Sequence, residues 1–132
     1  TKVLLIEDEA LIAELTIAML EQSGRQVQWL ESLAAFQRDL PSIDFDQFEF
    51  ALIDVTLSDG SGIDAATMIR KRRPNLPVIL ASGSDARNVL DDHRLDDSVE
   101  FLSKPFARVT LQTSIENAIA RAEQLKTEKN SS

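Results

Sequence analysis

The chain has 132 residues, room for one domain with a substantial core, and a formal net charge of -8. That charge argues against direct binding to a nucleic-acid backbone, and the absence of cysteine rules out disulfides and thiolate metal sites. No apolar run is long enough to span a bilayer and the start, TKVLLIEDE, has no cationic signal-like region, so a cytoplasmic protein without membrane insertion is expected.

Strand-like and helix-like segments alternate along the chain, the pattern of a doubly wound α/β sheet. Lys2 to Ile6 reads as the first strand and stops at Glu7-Asp8. From Ala10 to Ser23, Leu11, Ile12, Leu15, Ala18 and Met19 fall at helical spacing on one apolar face, and Gly24 supplies a C-terminal stop. Val27 and Trp29 alternate with polar residues, which places the second strand at an edge. Ser32 is set to cap a helix carrying Leu33, Phe36 and Leu40, ended by Pro41. SIDFDQFEF reads as an irregular acidic connection into a third strand, Phe50 to Ile53, which stops at Asp54.

DGSG at Asp59 to Gly62 has loop chemistry and lacks the Gly-Lys-Ser/Thr ending of a phosphate-binding P-loop, so it is read as a turn opening a third helix that runs to about Arg73. Pro77 to Ala81 is the fourth strand and stops at Ser82. Asp85 to Leu95 is expected to form a short polar helix, with His93 on the surface. Val99 to Ser103 is the fifth strand, followed by Lys104. Val109 to Lys126 is the clearest helix, with Leu111, Ile115, Ala118, Ile119, Ala122 and Leu125 in a stripe. A domain over residues 1–126 with a polar tail or linker remnant over 127–132 follows, and Thr1 in place of a methionine suggests a segment of a longer protein.

Apolar runs rich in Val, Ile and Leu are the mark of strands buried on both faces of a parallel sheet. Ligands bind such sheets along the carboxyl ends of the strands. Glu7, Asp8, Asp54, Ser82 and Lys104 all stand at those ends, so three carboxylates, a hydroxyl and an ammonium are expected on one rim. One lysine does not neutralise three anions. A hard divalent cation with oxygen ligands, Mg²⁺ or Mn²⁺, completes the set. With a phosphoryl donor, a carboxylate can attack phosphorus while the metal, the lysine and the hydroxyl spread the developing charge. No histidine is placed as a general base, and the set suits capture of a phosphoryl group on Asp54 better than hydrolysis.

These positions, taken in order, resemble the response-regulator receiver domain of two-component signalling over nearly the whole chain. Glu7-Asp8 follows strand one, Asp54 strand three, Ser82 strand four and Lys104-Pro105 strand five, with Phe101 three residues before the lysine and Gly83 after the hydroxyl. The resemblance implies a flavodoxin-like, five-stranded parallel sheet in the order 2-1-3-4-5, flanked by five helices. It implies that Asp54 is the phosphoacceptor for a phosphohistidine of a histidine kinase or histidine phosphotransfer protein. Asp8, Asp54 and the Thr56 backbone carbonyl would hold the metal directly, and Glu7 mostly through water. Lys104 would contact the phosphoryl group, Ser82 would close on it, and Phe101 would turn inward and alter the surface of the fourth and fifth helices and fifth strand. Thr56 and Ser84 would influence the lifetime of the acyl phosphate.

Such a domain catalyses its own phosphorylation and dephosphorylation and is not a turnover enzyme. Thr56, not aspartate, stands two residues after Asp54, where an aspartyl-phosphate hydrolase carries its acid/base. Taken alone, Phe101 on a buried strand reads as core, and the alternative function is a non-phosphorylated pseudo-receiver that binds partners. Two features depart from the family pattern. Ser58 replaces the usual proline four residues after the acceptor, which predicts a looser loop, and the segment from Ser82 to Phe101 is rich in aspartate. PVILASG and FLSKPF are similar to receiver modules of hybrid histidine kinases, and homodimerisation through the last helix is left open.

Overall fold

The computed structural model describes residues 1–83 and 99–130. Its sheet is formed by β1 (Lys2–Ile6), β2 (Gln26–Leu30), β3 (Phe48–Asp54), β4 (Val78–Ser82) and β5 (Val99–Ser103). The strands are all parallel and lie in the order β2-β1-β3-β4-β5, as expected. Four helices lie among the described residues: α1 (Ala10–Gln22), α2 (Leu33–Asp39), α3 (Gly62–Arg72) and α4 (Arg108–Asn130). The expected helix over Asp85–Leu95, together with Ser84 and His93, falls outside the described residues. Helix α4 continues past Lys126 to Asn130, so the first residues of the expected tail are helical.

Successive strand residues point to opposite faces, and the sequence fills both. Leu4, Ile6, Ala51, Ile53, Val78 and Leu80 pack with Phe36, Ile63 and Ile69 on one side. Val3, Leu5, Phe50, Leu52, Ile79 and Ala81 pack with Leu20, Leu111 and Ile115 on the other. Edge strand β2 is only partly buried, as its alternating pattern predicts.

Two local expectations need correction. The buried residues of α1 are Ala13, Thr16 and Leu20, while Leu11 and Leu15 are 69% and 56% exposed. The helix is apolar nearly all round, so helical spacing alone admits two registers. Small residues win the sheet-facing side because they let the helix lie close, and the Thr16 hydroxyl is satisfied by donating to the Ile12 carbonyl at 2.8 Å. Strand β3 begins at Phe48, two residues earlier than expected. The register with β1 shifts between Lys2 and Val3, opposite Phe48 and Phe50, and this bulge lets those two rings enter opposite cores. The intervening charge of Glu49 is met by Arg25 at 2.6 Å.

Between β3 and α3, Thr56–Leu57 pairs antiparallel with Gly60–Ser61, which leaves Ser58 and Asp59 as a tight turn. The Asp59 carboxylate accepts from the N–H groups of Leu33 (3.0 Å) and Ala34 (2.8 Å), so a residue distant in sequence joins Ser32 in capping α2. Those backbone hydrogen bonds hold the Asp59 carboxyl below its ordinary value. A depressed carboxylate stabilises the fold above its unfolded value, and the contribution disappears as pH falls through the folded one. Asp59→Ala is therefore expected to lower the urea midpoint near neutrality, with the gap to wild type closing as the pH is taken towards about 3. A gap independent of pH would show that the carboxylate charge does not matter there.

Candidate functional site

Each polar residue singled out at a strand end lies on the carboxyl rim of the sheet. Ile6 ends β1, and Glu7 is buried at 3% exposure immediately after it. Asp54 is the last residue of β3, pairs in register with Ala81 and is 6% exposed. Ser82 ends β4 beside that pair and is also buried. Lys104 follows β5 and donates its backbone N–H to the Ser82 carbonyl at 2.8 Å, which anchors the start of the loop it opens.

The side chains of three of these residues meet. Lys104 Nζ lies 2.7 Å from Glu7 Oε1 and 3.0 Å from Asp54 Oδ2. The remaining oxygens accept backbone N–H groups: Asp54 Oδ1 from Thr56 at 3.1 Å, Glu7 Oε2 from Glu9 at 3.2 Å and Asp8 Oδ2 from Ser58 at 2.7 Å. Glu7, Asp8 and Asp54 each place an oxygen within 4.8 Å of the others. At an effective dielectric near 20, each charged pair at that range would repel by roughly 3 kcal/mol.

The electrostatics carry the mark of this crowding. Burial, with the neighbouring Asp54 carboxylate, pushes Glu7 up to about 7 against the opposing Lys104 hydrogen bond. Burial alone would lower Lys104, but its hydrogen bonds to Glu7 and Asp54 outweigh that and raise it. One ammonium among three close carboxylates leaves a net negative pocket. A compact set of hard oxygen donors in such a pocket fits a divalent cation of the Mg²⁺ type.

Several contributors have no signature in the sequence. The Trp29 indole N–H donates to the Glu7 carbonyl at 2.8 Å, so the edge strand steadies the acidic turn. Gly62 packs so tightly on the Asp54 backbone that a Cβ there would lie 2.0 Å from the Asp54 carbonyl oxygen. At Ser58, where the family pattern has proline, the backbone N–H is free to donate and ties this loop to Asp8. Phe101 is not core: at 47% exposure its ring lies on the surface, opposite Leu80 in register. Thr56 is exposed next to the phosphoacceptor candidate, and Ser84 lies outside the described residues. A groove of about 400 Å³ opens beside the rim, lined by Ile12, Leu15, Met19, Gly83, Lys104 and Phe106, among others.

A family model described as the response regulator receiver domain matches residues 3–116. The swarming motility regulation protein RssB of Serratia marcescens is 30% identical over 105 residues, covering 80% of this chain and 47% of its own. The cell cycle transcriptional regulator CtrA of Caulobacter vibrioides is 29% identical over 121 residues, 92% of this chain and 51% of its own. The chain thus spans about half the length of these two relatives. Among solved structures, a response regulator receiver domain protein from Clostridium thermocellum superposes with a TM-score of 0.76 at 26% identity, covering 95% of this chain and 98% of that one. Among the described residues, no helix is long and apolar enough to cross a membrane.

Proposed function

The chain belongs to the response regulator receiver family, and from that premise we propose that it is a phosphorylation-driven switch that accepts a phosphoryl group on Asp54. The observation that supports this reading best is the contact of Lys104 Nζ with both Glu7 and Asp54 at the rim. An Asp54 oxygen attacks the phosphorus of a phosphohistidine. The new P–O bond forms as the P–N bond breaks, and the departing imidazole leaves with the electron pair. Lys104 already lies against Asp54 Oδ2 and is placed to neutralise a phosphoryl oxygen. Glu7, Asp8, Asp54 and the Thr56 carbonyl are the residues that would hold Mg²⁺, which when bound offsets negative charge on the transferring group. Ser82, buried beside Asp54, is the hydroxyl that would close on the product, and Phe101, now exposed, would turn inward in response.

A partner must bring its histidine to this rim. The exposed side chain of Leu15 on α1 lines the groove that also takes in Lys104, and with the exposed Leu11 on the same helix it offers an apolar footing beside the acceptor. The occupant assigned to this face is a phosphohistidine-bearing kinase or phosphotransfer protein.

Acetyl phosphate with Mg²⁺ is expected to form an acyl phosphate that borohydride trapping and mass spectrometry locate at Asp54. A label on any other residue, or none, refutes the assignment. In the same assay, Leu15→Asp should leave acetyl phosphate labelling intact yet slow transfer from a phosphorylated kinase about tenfold. Equal loss with both donors would mean that the groove is not the docking face.

A further inference from the structure

The three carboxylates are not held alike. Glu7 and Asp54 are buried, and each contacts Lys104 as well as a backbone N–H. Asp8 is less buried, and its Oδ2 accepts the N–H of Ser58, 50 residues away, at 2.7 Å. That is a short, charge-assisted bond. Its donor belongs to the main chain, so the serine side chain contributes nothing to it. A proline at this position has no N–H and could not form it.

We propose that the backbone N–H of Ser58 is a positioning group that holds the Asp8 carboxylate in its ligand orientation, leaving its remaining lone pairs for a divalent cation. The inference rests on the Mg²⁺ reading above. An ionised carboxylate has about four lone-pair sites, so one accepted hydrogen bond does not compete with coordination. Fixing the side chain beforehand removes an ordering cost that a solvent-facing aspartate would otherwise meet on binding. The turn that carries Ser58 is itself secured, because its neighbour Asp59 is bonded to the first turn of α2. The acidic turn, the loop after the phosphoacceptor and α2 are thereby joined through two adjacent residues. A chain with proline in this place would reach the same ligand set without this tether.

The test is titration with Mg²⁺ alone, followed through the fluorescence of Trp29, whose indole is bonded to the Glu7 carbonyl. Ser58→Ala keeps the N–H and should bind as wild type does. Ser58→Pro should bind about tenfold more weakly, the usual order for losing a hydrogen bond that orients a ligand. Equal affinity of wild type and Ser58→Pro overturns the proposal, as does an equal loss in Ser58→Ala. If wild type itself binds no Mg²⁺, the metal reading fails and this inference with it, an outcome distinct from the other two. Should Ser58→Pro melt abnormally without metal, amide exchange of Ser58 in wild type decides. Protection retained at saturating Mg²⁺ supports the tether, and faster exchange on binding refutes it.

Discussion

Asp54→Asn is expected to reduce phosphoryl incorporation from acetyl phosphate to background, a loss of at least about 100-fold. The amide is nearly isosteric and can still accept the Thr56 N–H that now bonds Oδ1. What it lacks is a nucleophilic anionic oxygen next to Lys104, where Oδ2 now lies at 3.0 Å. The substitution also removes one of the three mutually repelling carboxylates, so the metal-free fold should be no less stable than wild type. That pairing separates chemistry from folding: a labelled Asp54→Asn protein would refute the acceptor assignment, and an unfolded one would implicate Asp54 in structure. Thermal melting and labelling on the same sample check both halves.

The largest effect on stability is expected at Gly62, the first residue of α3. A Cβ there would lie 2.0 Å from the Asp54 carbonyl oxygen, 2.8 Å from its carbonyl carbon and 2.8 Å from Ile53 Cγ2. Two of those atoms are backbone and cannot swing aside. The approach is tied down further by the Gly62 N–H, which donates to the Val55 carbonyl at 2.8 Å. Gly62→Ala must therefore push α3 away from the end of β3, at a cost of about 3 kcal/mol or more. For a domain of this size that lowers Tm by on the order of 10 °C. Gly83→Ala is the matched control, because among the described residues a Cβ at Gly83 meets nothing within 4 Å, and it should change stability by no more than about 0.5 kcal/mol. Similar losses in both variants would contradict a steric origin.

The consequences reach the site. Gly62 touches the backbone of Asp54, and Asp59 and Ser58 link the same loop to α2 and to Asp8. The loop after Asp54 is thus fixed at three places, Ser58, Asp59 and Gly62. Activity lost through Gly62→Ala would come with lost stability, whereas activity lost through Asp54→Asn would not.

Much of this molecule is legible from the order of its residues. Long runs of Val, Leu and Ile can be buried only as strands covered on both faces, and strands alternating with helices must run parallel. From that alone, Glu7, Asp8, Asp54, Ser82 and Lys104 fall on one rim, because each stands where an apolar run ends. The placement of those five residues followed from local pattern plus the parallel rule, whereas the strand order 2-1-3-4-5 came from the resemblance to the receiver family. Tertiary structure decided what pattern leaves degenerate. Helix α1 is apolar on more than one face, and only the fit of Ala13 and Thr16 against the sheet selects which face is buried. Phe101 has the composition of a core residue and lies outside, since neighbours and not residue type set its side of β5. The Trp29, Ser58 and Asp59 contacts join residues far apart in the chain through backbone groups, which carry no sequence signal of their own. A main-chain N–H is the same in every residue but proline, so its partner is fixed only when the chain has folded around it.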